Sequence, residues 1–191
     1  MTEDHPVGET NLTVEKQRWR TIAASIAPTT IEESAAISAT VREVLHRYDW
    51  RVVLTFLAMA GEVDLAALRD DTGLTLAVTR TPNTGPLTIH ALEEPMERHP
   101  FGYLQPGPDA RPIDPRGIEV VLVPGLLFAG DGGRLGHGKG YYDRLLSEFN
   151  PRPYLIGATV DRRVVNELPM TDRDVRMDAV ATETGFREAS A

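Results

Sequence analysis

The segment Arg134-Leu-Gly-His-Gly-Lys-Gly-Tyr-Tyr-Asp143 constrains this chain most. The apolar run Val120-Val-Leu-Val-Pro124 precedes it, and an amphipathic stretch from Tyr141 to Phe149 follows. A strand, a glycine-rich loop and a helix in that order gather backbone N–H groups where the helix dipole also favours an anion. The chain has two lysines, Lys16 and Lys139, against eighteen arginines. Lysine is a compact charge on a flexible stem and arginine a planar fork, so a lysine set among glycines has chemical content at a phosphate. Without a ligand the same pattern is a turn with a lysine in water, and the pattern alone leaves both readings open.

Gly133-x-x-x-x-Gly138-Lys139 has the spacing of a P-loop, but Gly140 stands where a Ser or Thr would hold Mg²⁺. A magnesium ligand must then come from elsewhere. Asp143, one turn into the helix, is the nearest carboxylate, and carboxylate oxygens suit this hard cation.

Around this junction the chain alternates between strand and helix patterns. Val14 to Ile26 reads as a short helix stopped by Pro28, with Trp19 and Ile22 facing inward. Thr30-x-x-Glu33 is a capping box, and Ile37, Val41, Val44, Leu45 and Tyr48 then recur at helical spacing. Strands are expected over 51–57, 74–79, 87–92, 118–123, 154–158 and 179–182, with helices over 63–70, from Tyr141 to Phe149 and over 162–168. The Pro- and Gly-rich stretch from Glu94 to Gly117 is too long for a mere connector and reads as a functional loop. Such alternation predicts an α/β fold, three layers α/β/α around a mostly parallel central sheet. In that fold ligands collect at the carboxyl ends of the strands, which brings Glu62, Lys139 and Asp143 within reach of one site.

Composition narrows the class of function. With 191 residues the chain suits one substantial core, expected over 14–186, with 1–13 and 187–191 as frayed ends. The absence of cysteine excludes a thiol nucleophile, a disulfide framework and a thiolate zinc site. A net charge of −8 argues against a nucleic-acid partner. No apolar run approaches a membrane span, and the amino terminus lacks a signal peptide's features, so a cytoplasmic protein is expected. An anionic substrate would have to be drawn by local positive charge at Lys16, Arg20, Arg134 and Lys139.

These residues resemble the 5-formyltetrahydrofolate cyclo-ligase family. Val123-Pro-Gly-Leu-Leu-Phe128 and then Arg134 to Asp143 match its Pro-Gly-x-x-Phe and Arg-Leu-Gly-x-Gly-x-Gly-Tyr-Tyr-Asp elements at the expected distance. Lys16-Gln-Arg-Trp-Arg20 resembles its Lys-x-x-Leu-Arg element, with Trp19 in place of leucine. Phe56-Leu-Ala-Met-Ala-Gly-Glu62 resembles its folate-contacting turn, and Asp174-Val-Arg-Met-Asp178 its late Asp-x-x-x-Asp element. The matches run in order from about residue 14 to about residue 183. Two departures stand out: the first helix lacks the extra basic residues often found after its element, and Gln105 stands where many members carry an acid.

The resemblance implies closure of 5-formyltetrahydrofolate to 5,10-methenyltetrahydrofolate, with ATP as co-substrate and release of ADP and phosphate. It assigns ATP to Lys16, Gln17, Arg18, Trp19 and Arg20, and to Arg134, Leu135, Gly136, His137, Gly138, Lys139, Gly140, Tyr141 and Tyr142. Lys139 and Arg134 would be catalytic, stabilising phosphate charge. The folate would meet Leu57, Met59, Glu62, His137 and Tyr141, with Glu62 accepting from the pterin. Asp143 and Asp178 would share Mg²⁺, while Asp174 reads as a chain-turning cap. The implied partners are a reduced folate and ATP; charge and hydropathy leave no nucleic-acid or membrane partner expected, and the protein is expected to be a monomer. A small P-loop-like kinase or NTPase, or a non-catalytic folate- or nucleotide-binding protein, would share parts of this pattern.

Overall fold

Val120, Val121, Leu122 and Val123 are all fully buried, which marks their strand as the interior of a sheet covered on both faces. The computed structural model describes residues 7–100 and 102–190, so Phe101 lies outside the described residues. Two helices open the chain, α1 (Val7–Ser25) and α2 (Ile31–Arg47). The strands β1 (Val52–Thr55), β2 (Thr75–Arg80) and β3 (Thr88–Ala91) follow, then the hairpin β4 (Met96–Arg98) and β5 (Leu104–Pro106). Next come β6 (Val120–Val123), β7 (Leu127–Ala129), β8 (Arg134–Leu135) and α3 (Tyr141–Ser147). The chain ends with β9 (Tyr154–Ala158), β10 (Val164–Val165), β11 (Ala179–Thr182) and β12 (Gly185–Glu188).

The main sheet has the order β12-β11-β9-β6-β1-β2-β3. Its five inner strands are parallel, and β3 and β12 run antiparallel at the edges. Alternation along each strand separates the faces. Val53, Leu122 and Ile156 pack with Ile37, Val41 and Leu45 of α2, whereas Leu54, Val121 and Leu155 pack with Leu145, Leu146 and Phe149 around α3. That is the expected three-layer α/β/α arrangement. A third apolar cluster joins Ala23, Trp19 and Ile26 of the α1 region to Leu127, Ala129 and Leu135 of the small sheet β10-β7-β8.

The strand order also locates a binding crevice. From β1 the chain proceeds outward to β2 and β3, and from β6 outward the other way to β9, β11 and β12. The direction reverses between β1 and β6, and ligands of open α/β sheets bind at the carboxyl side of such a switch point. Gly157 permits tight packing behind it, because a Cβ there would lie 2.3 Å from the Phe128 ring.

Several local expectations need correction. Helix α1 already begins at Val7, so residues 7–13 are helical, while residues 1–6 fall outside the described residues. Arg187 and Glu188, expected in a frayed end, pair with β11 as part of β12. The helix expected over 63–70 is only a 3-10 turn at Ala66–Asp70, and that over 162–168 is a 3-10 turn followed by β10. Ile22 is 39% exposed, and Ala23 takes the inward position with Trp19. Among the described residues, no helix is long and apolar enough to cross a membrane.

Candidate functional site

A cavity of about 280 Å³ opens at the switch point. Phe56 beyond β1, Pro124 and Gly125 beyond β6, and Ala158 and Thr159 of the β9 end all line it, as do Met59, Glu62, His137 and Arg163. The turn after β1 is tied by Glu62, whose Oε2 accepts from the Met59 backbone N–H at 2.9 Å. Its other oxygen lies 3.3 Å from His137 Nε2. One carboxylate therefore joins the turn after β1 to the glycine loop. Met59, Glu62 and His137 come together at this cavity; Leu57 lines a neighbouring cavity, and Tyr141 lines neither.

The glycine loop is built to stay open. Gly138 and Gly140 have φ of +91° and +64°, values a side chain would strain, and a Cβ on Gly138 would meet the Arg20 guanidinium at 3.0 Å. Arg20 Nε donates to the Gly136 carbonyl at 3.1 Å, which draws α1 onto the loop. Among the described residues, backbone N–H groups from His137 to Gly140 donate no hydrogen bond. Lys139 is exposed and has no hydrogen-bond or ion-pair partner among the described residues. Open amides and an uncommitted ammonium are donors suited to phosphate oxygens.

Lys16, one turn before Arg20, forms an ion pair with Asp174 Oδ2. Burial alone would raise the Asp174 carboxyl, but Lys16 and the Thr171 donors outweigh it and hold it below its ordinary value. Asp174 does cap the chain, through Thr171 N, and it also holds a cation expected at the phosphates. Gln17 and Arg18 are exposed on α1, and Trp19 is packed beneath.

Arg134 is drawn beneath the loop. It is only 6% exposed, with Nη2 donating to Asp143 Oδ1 at 2.8 Å and Nη1 to the Pro124 carbonyl at 3.3 Å. A guanidinium so engaged braces the loop from below. Leu135 beside it is buried in the third cluster. The two tyrosines both turn toward the α3 side of the sheet: Tyr142 has the Arg134 guanidinium 5.9 Å from its ring centre, and Tyr141 has that of Arg144 at 5.3 Å. Burial pushes the Tyr142 hydroxyl up to about 12, so it is a proton donor and not a base at neutral pH.

The two carboxylates expected to share magnesium are not brought together. Among the described residues, every hydrogen bond Asp143 accepts falls on Oδ1, from Arg134 and from Val175 N at 3.3 Å. Asp178 precedes β11 and accepts from Leu155 N at 2.7 Å and Arg152 at 2.8 Å. Those contacts place it at the amino ends of β9 and β11, opposite the cavity. No group of three or more His, Asp or Glu positioned to hold a metal occurs among the described residues.

Arg163 was not foreseen. It lines the cavity and donates to the carbonyls of Leu126 at 3.1 Å and Ala23 at 3.3 Å, tying α1 to the strand ends. Its place just after β9, at a strand's carboxyl end, was the available signal. Gln105 is likewise structural: its amide donates to Glu97 and its carbonyl accepts from Thr81 N, and a carboxylate could not make the first bond.

A doubly wound sheet with a cavity at its switch point, beside an anion-receptive loop, defines an α/β small-ligand protein. The chain belongs to the 5-formyltetrahydrofolate cyclo-ligase family, whose model matches residues 14–183. It is 36% identical over 83 residues to the 5-formyltetrahydrofolate cyclo-ligase of Mycolicibacterium smegmatis, covering 43% of each chain. It is 34% identical over 71 residues to that of Mus musculus, covering 35% of each. The chain thus matches less than half the length of these curated relatives. The fold is that of the Aquifex aeolicus 5,10-methenyltetrahydrofolate synthetase, with a TM-score of 0.76 at 22% identity over 94% of this chain and 93% of that one.

Proposed function

We propose that the protein closes 5-formyltetrahydrofolate to 5,10-methenyltetrahydrofolate at the expense of ATP. The observation that carries this reading is the Glu62–His137 contact of 3.3 Å, which joins the cavity wall to the glycine loop. A pterin held by the Glu62 carboxylate inside the cavity has its formyl group facing the loop that would hold the γ-phosphate. The family membership supplies the substrate class.

The formyl oxygen is a poor leaving group until it is phosphorylated. Its attack on the γ-phosphorus breaks the bond to ADP. N10 then adds to the activated carbon, phosphate leaves with the former formyl oxygen, and N10 gives up its proton. No protein nucleophile is required, in keeping with a chain without cysteine. The residues instead align and neutralise charge. Lys139 and the open amides from His137 to Gly140 receive the transferring phosphoryl group. Arg20 and Lys16 reach the remaining phosphates from α1, Lys16 by leaving Asp174. Arg134 positions Asp143, whose Oδ2 is the carboxylate oxygen available to Mg²⁺; Asp178 belongs to the strand ends. When bound, the ion neutralises charge on phosphate oxygens. The protein works as a cytoplasmic monomer on small molecules.

Mixing the chain with ATP, Mg²⁺ and 5-formyltetrahydrofolate tests this directly. Methenyl absorbance with stoichiometric ADP is expected. ATP hydrolysis that ignores the folate would indicate an NTPase, and ligand binding without turnover a non-catalytic binder; either result rejects the proposal.

A further inference from the structure

Of the described residues that line the first cavity, three carry a titratable side chain: Glu62, His137 and Arg163. They differ in what they have left to offer. Arg163 has no lone pair to give, and it is committed to the carbonyls of Leu126, Ala23 and Ile26 at 3.1, 3.3 and 3.4 Å. Glu62 is tied through Oε2 to the Met59 N–H, and its side chain is 16% exposed. The His137 side chain is 53% exposed, and its Nε2 lies 3.3 Å from Glu62 Oε1. An ionised carboxylate only accepts, so the imidazole proton sits on Nε2 and the neutral ring keeps a lone pair on Nδ1. Among the described residues, Nδ1 has no hydrogen-bond partner. It is the free base of this cavity.

The chain holds that ring from both sides. Gly136 before it has its carbonyl bound by Arg20 Nε at 3.1 Å, and Gly138 after it has φ of +91°. The ring thus stands between the turn after β1, assigned to the pterin, and the amides and Lys139, assigned to the phosphoryl group. Ring closure has a proton to move at that place. When N10 adds to the activated carbon, it carries both a positive charge and its proton. In that state N10 is readily expelled again and the adduct reverts. Removing the proton returns a lone pair to N10, which then drives phosphate out.

We infer that His137 is the base for this step, an inference that rests on the cyclo-ligase reading of the site. Nδ1 takes the proton as the N10–H bond breaks, and the bonding pair stays on N10. The carbon–oxygen bond then breaks with its pair leaving on phosphate, and the imidazolium passes its proton to water at the exposed face of the ring. Glu62 orients the ring and balances the imidazolium, as a carboxylate does for histidine in a hydrolase triad. Its Oε1 has two lone pairs, enough for Nε2 and for a pterin N–H. The other charged groups around the ring are Arg163 beyond β9, Arg20 of α1 and Lys139 of the same loop. All three are cations that donate, so none competes for the proton.

Rapid-quench single turnover on the full chain tests this, with ATP, Mg²⁺ and 5-formyltetrahydrofolate. ADP and methenyl are followed separately in wild type, His137→Gln and His137→Ala. Phosphoryl transfer precedes the step assigned to His137, so first-turnover ADP should appear at the wild-type rate in both variants. Methenyl formation should fall about 10²-fold, the scale of a removed general base. Imidazole added to the buffer should restore methenyl formation in His137→Ala, a response that a packing role would not give. Methenyl formation unchanged in His137→Ala, ADP and methenyl slowed in equal proportion, or a loss that imidazole leaves in place overturns the inference. Should His137→Ala disturb the loop, the split between ADP and methenyl in His137→Gln decides alone. A wild type that forms no methenyl rejects the cyclo-ligase reading and this inference with it. Methenyl from wild type without the split in the variants rejects the inference alone.

Discussion

Arg134 and Asp143 meet at 2.8 Å beneath the glycine loop, the arginine side chain 4% exposed and the carboxylate 21%. The pair joins the end of the small sheet to the first turn of α3, so it sets where the loop between them lies. Removing one partner would leave a buried charge uncompensated, which costs about 3–5 kcal/mol. Arg134→Met should therefore lower stability by that order in urea unfolding. Asp143→Asn retains an acceptor oxygen for Arg134 but leaves the more buried guanidinium without its counter-charge, so it should cost a comparable amount, while shifting the Mg²⁺ dependence of turnover to higher concentration. An unshifted magnesium curve would show Asp143 to be a structural partner of Arg134 only.

Lys139 makes the opposite prediction. Exposed and without a partner among the described residues, it contributes little to folding, and Lys139→Ala should leave stability within about 0.5 kcal/mol of wild type. If its ammonium receives the transferring phosphoryl group, kcat should fall about 10²-fold, the scale of one removed electrostatic stabiliser. Turnover close to wild type at saturating ATP would remove it from the chemistry.

The wall of the first cavity has its own acid sensitivity. Arg162 and the Thr30 backbone N–H hold the Glu33 carboxyl at about 2, against an ordinary 4.5. Arg162 also donates to the Pro28 carbonyl at 2.8 Å, so the clamp fixes a residue that lines the cavity. A depressed carboxylate adds stability that is complete above 4.5 and is lost as pH falls toward about 2. Glu33→Gln should cost about 1–2 kcal/mol at pH 7, allowing for solvent screening, and nothing at pH 2. Denaturant titrations of both proteins across that range provide the check; parallel curves would mean the clamp carries no net stability.

How far the site was legible depended on which physical signal each residue leaves in the chain. The β6–loop–α3 junction and the Thr30–Glu33 capping box are local patterns, and both formed as expected. The alternation of strands with helices likewise foretold a sheet covered on both faces. The burial of Arg134 was not legible, because an arginine beside a glycine loop looks the same whether it points to solvent or is drawn under the loop by Asp143. Asp178 failed for a topological reason: nothing in its spacing to Asp143 says which end of the strands it occupies, and that end follows from the parallel pairing of β9 with β11. The short strands β7, β8 and β10 leave hardly any period to detect, since none exceeds three residues.

Glu62 offers the sharpest separation of folate from nucleotide. Its Oε2 holds the Met59 N–H at 2.9 Å and its Oε1 faces His137 and the cavity. Glu62→Gln can keep the first bond through its amide carbonyl, so the turn after β1 should persist and thermal unfolding should change little. It then presents an NH₂ where a carboxylate stood, and the amino and ring N–H groups of a pterin meet a donor instead of an acceptor. Mismatch of a charge-assisted bond costs about 1.5–3 kcal/mol, so folate affinity should fall roughly 10- to 100-fold. ATP, assigned to Lys139, Arg20 and Lys16 on the other side of the loop, should bind within about twofold of wild type by the same arithmetic. Calorimetric titration with each ligand separately decides the assignment: matched losses for both would place Glu62 in the scaffold of the loop and not at the pterin.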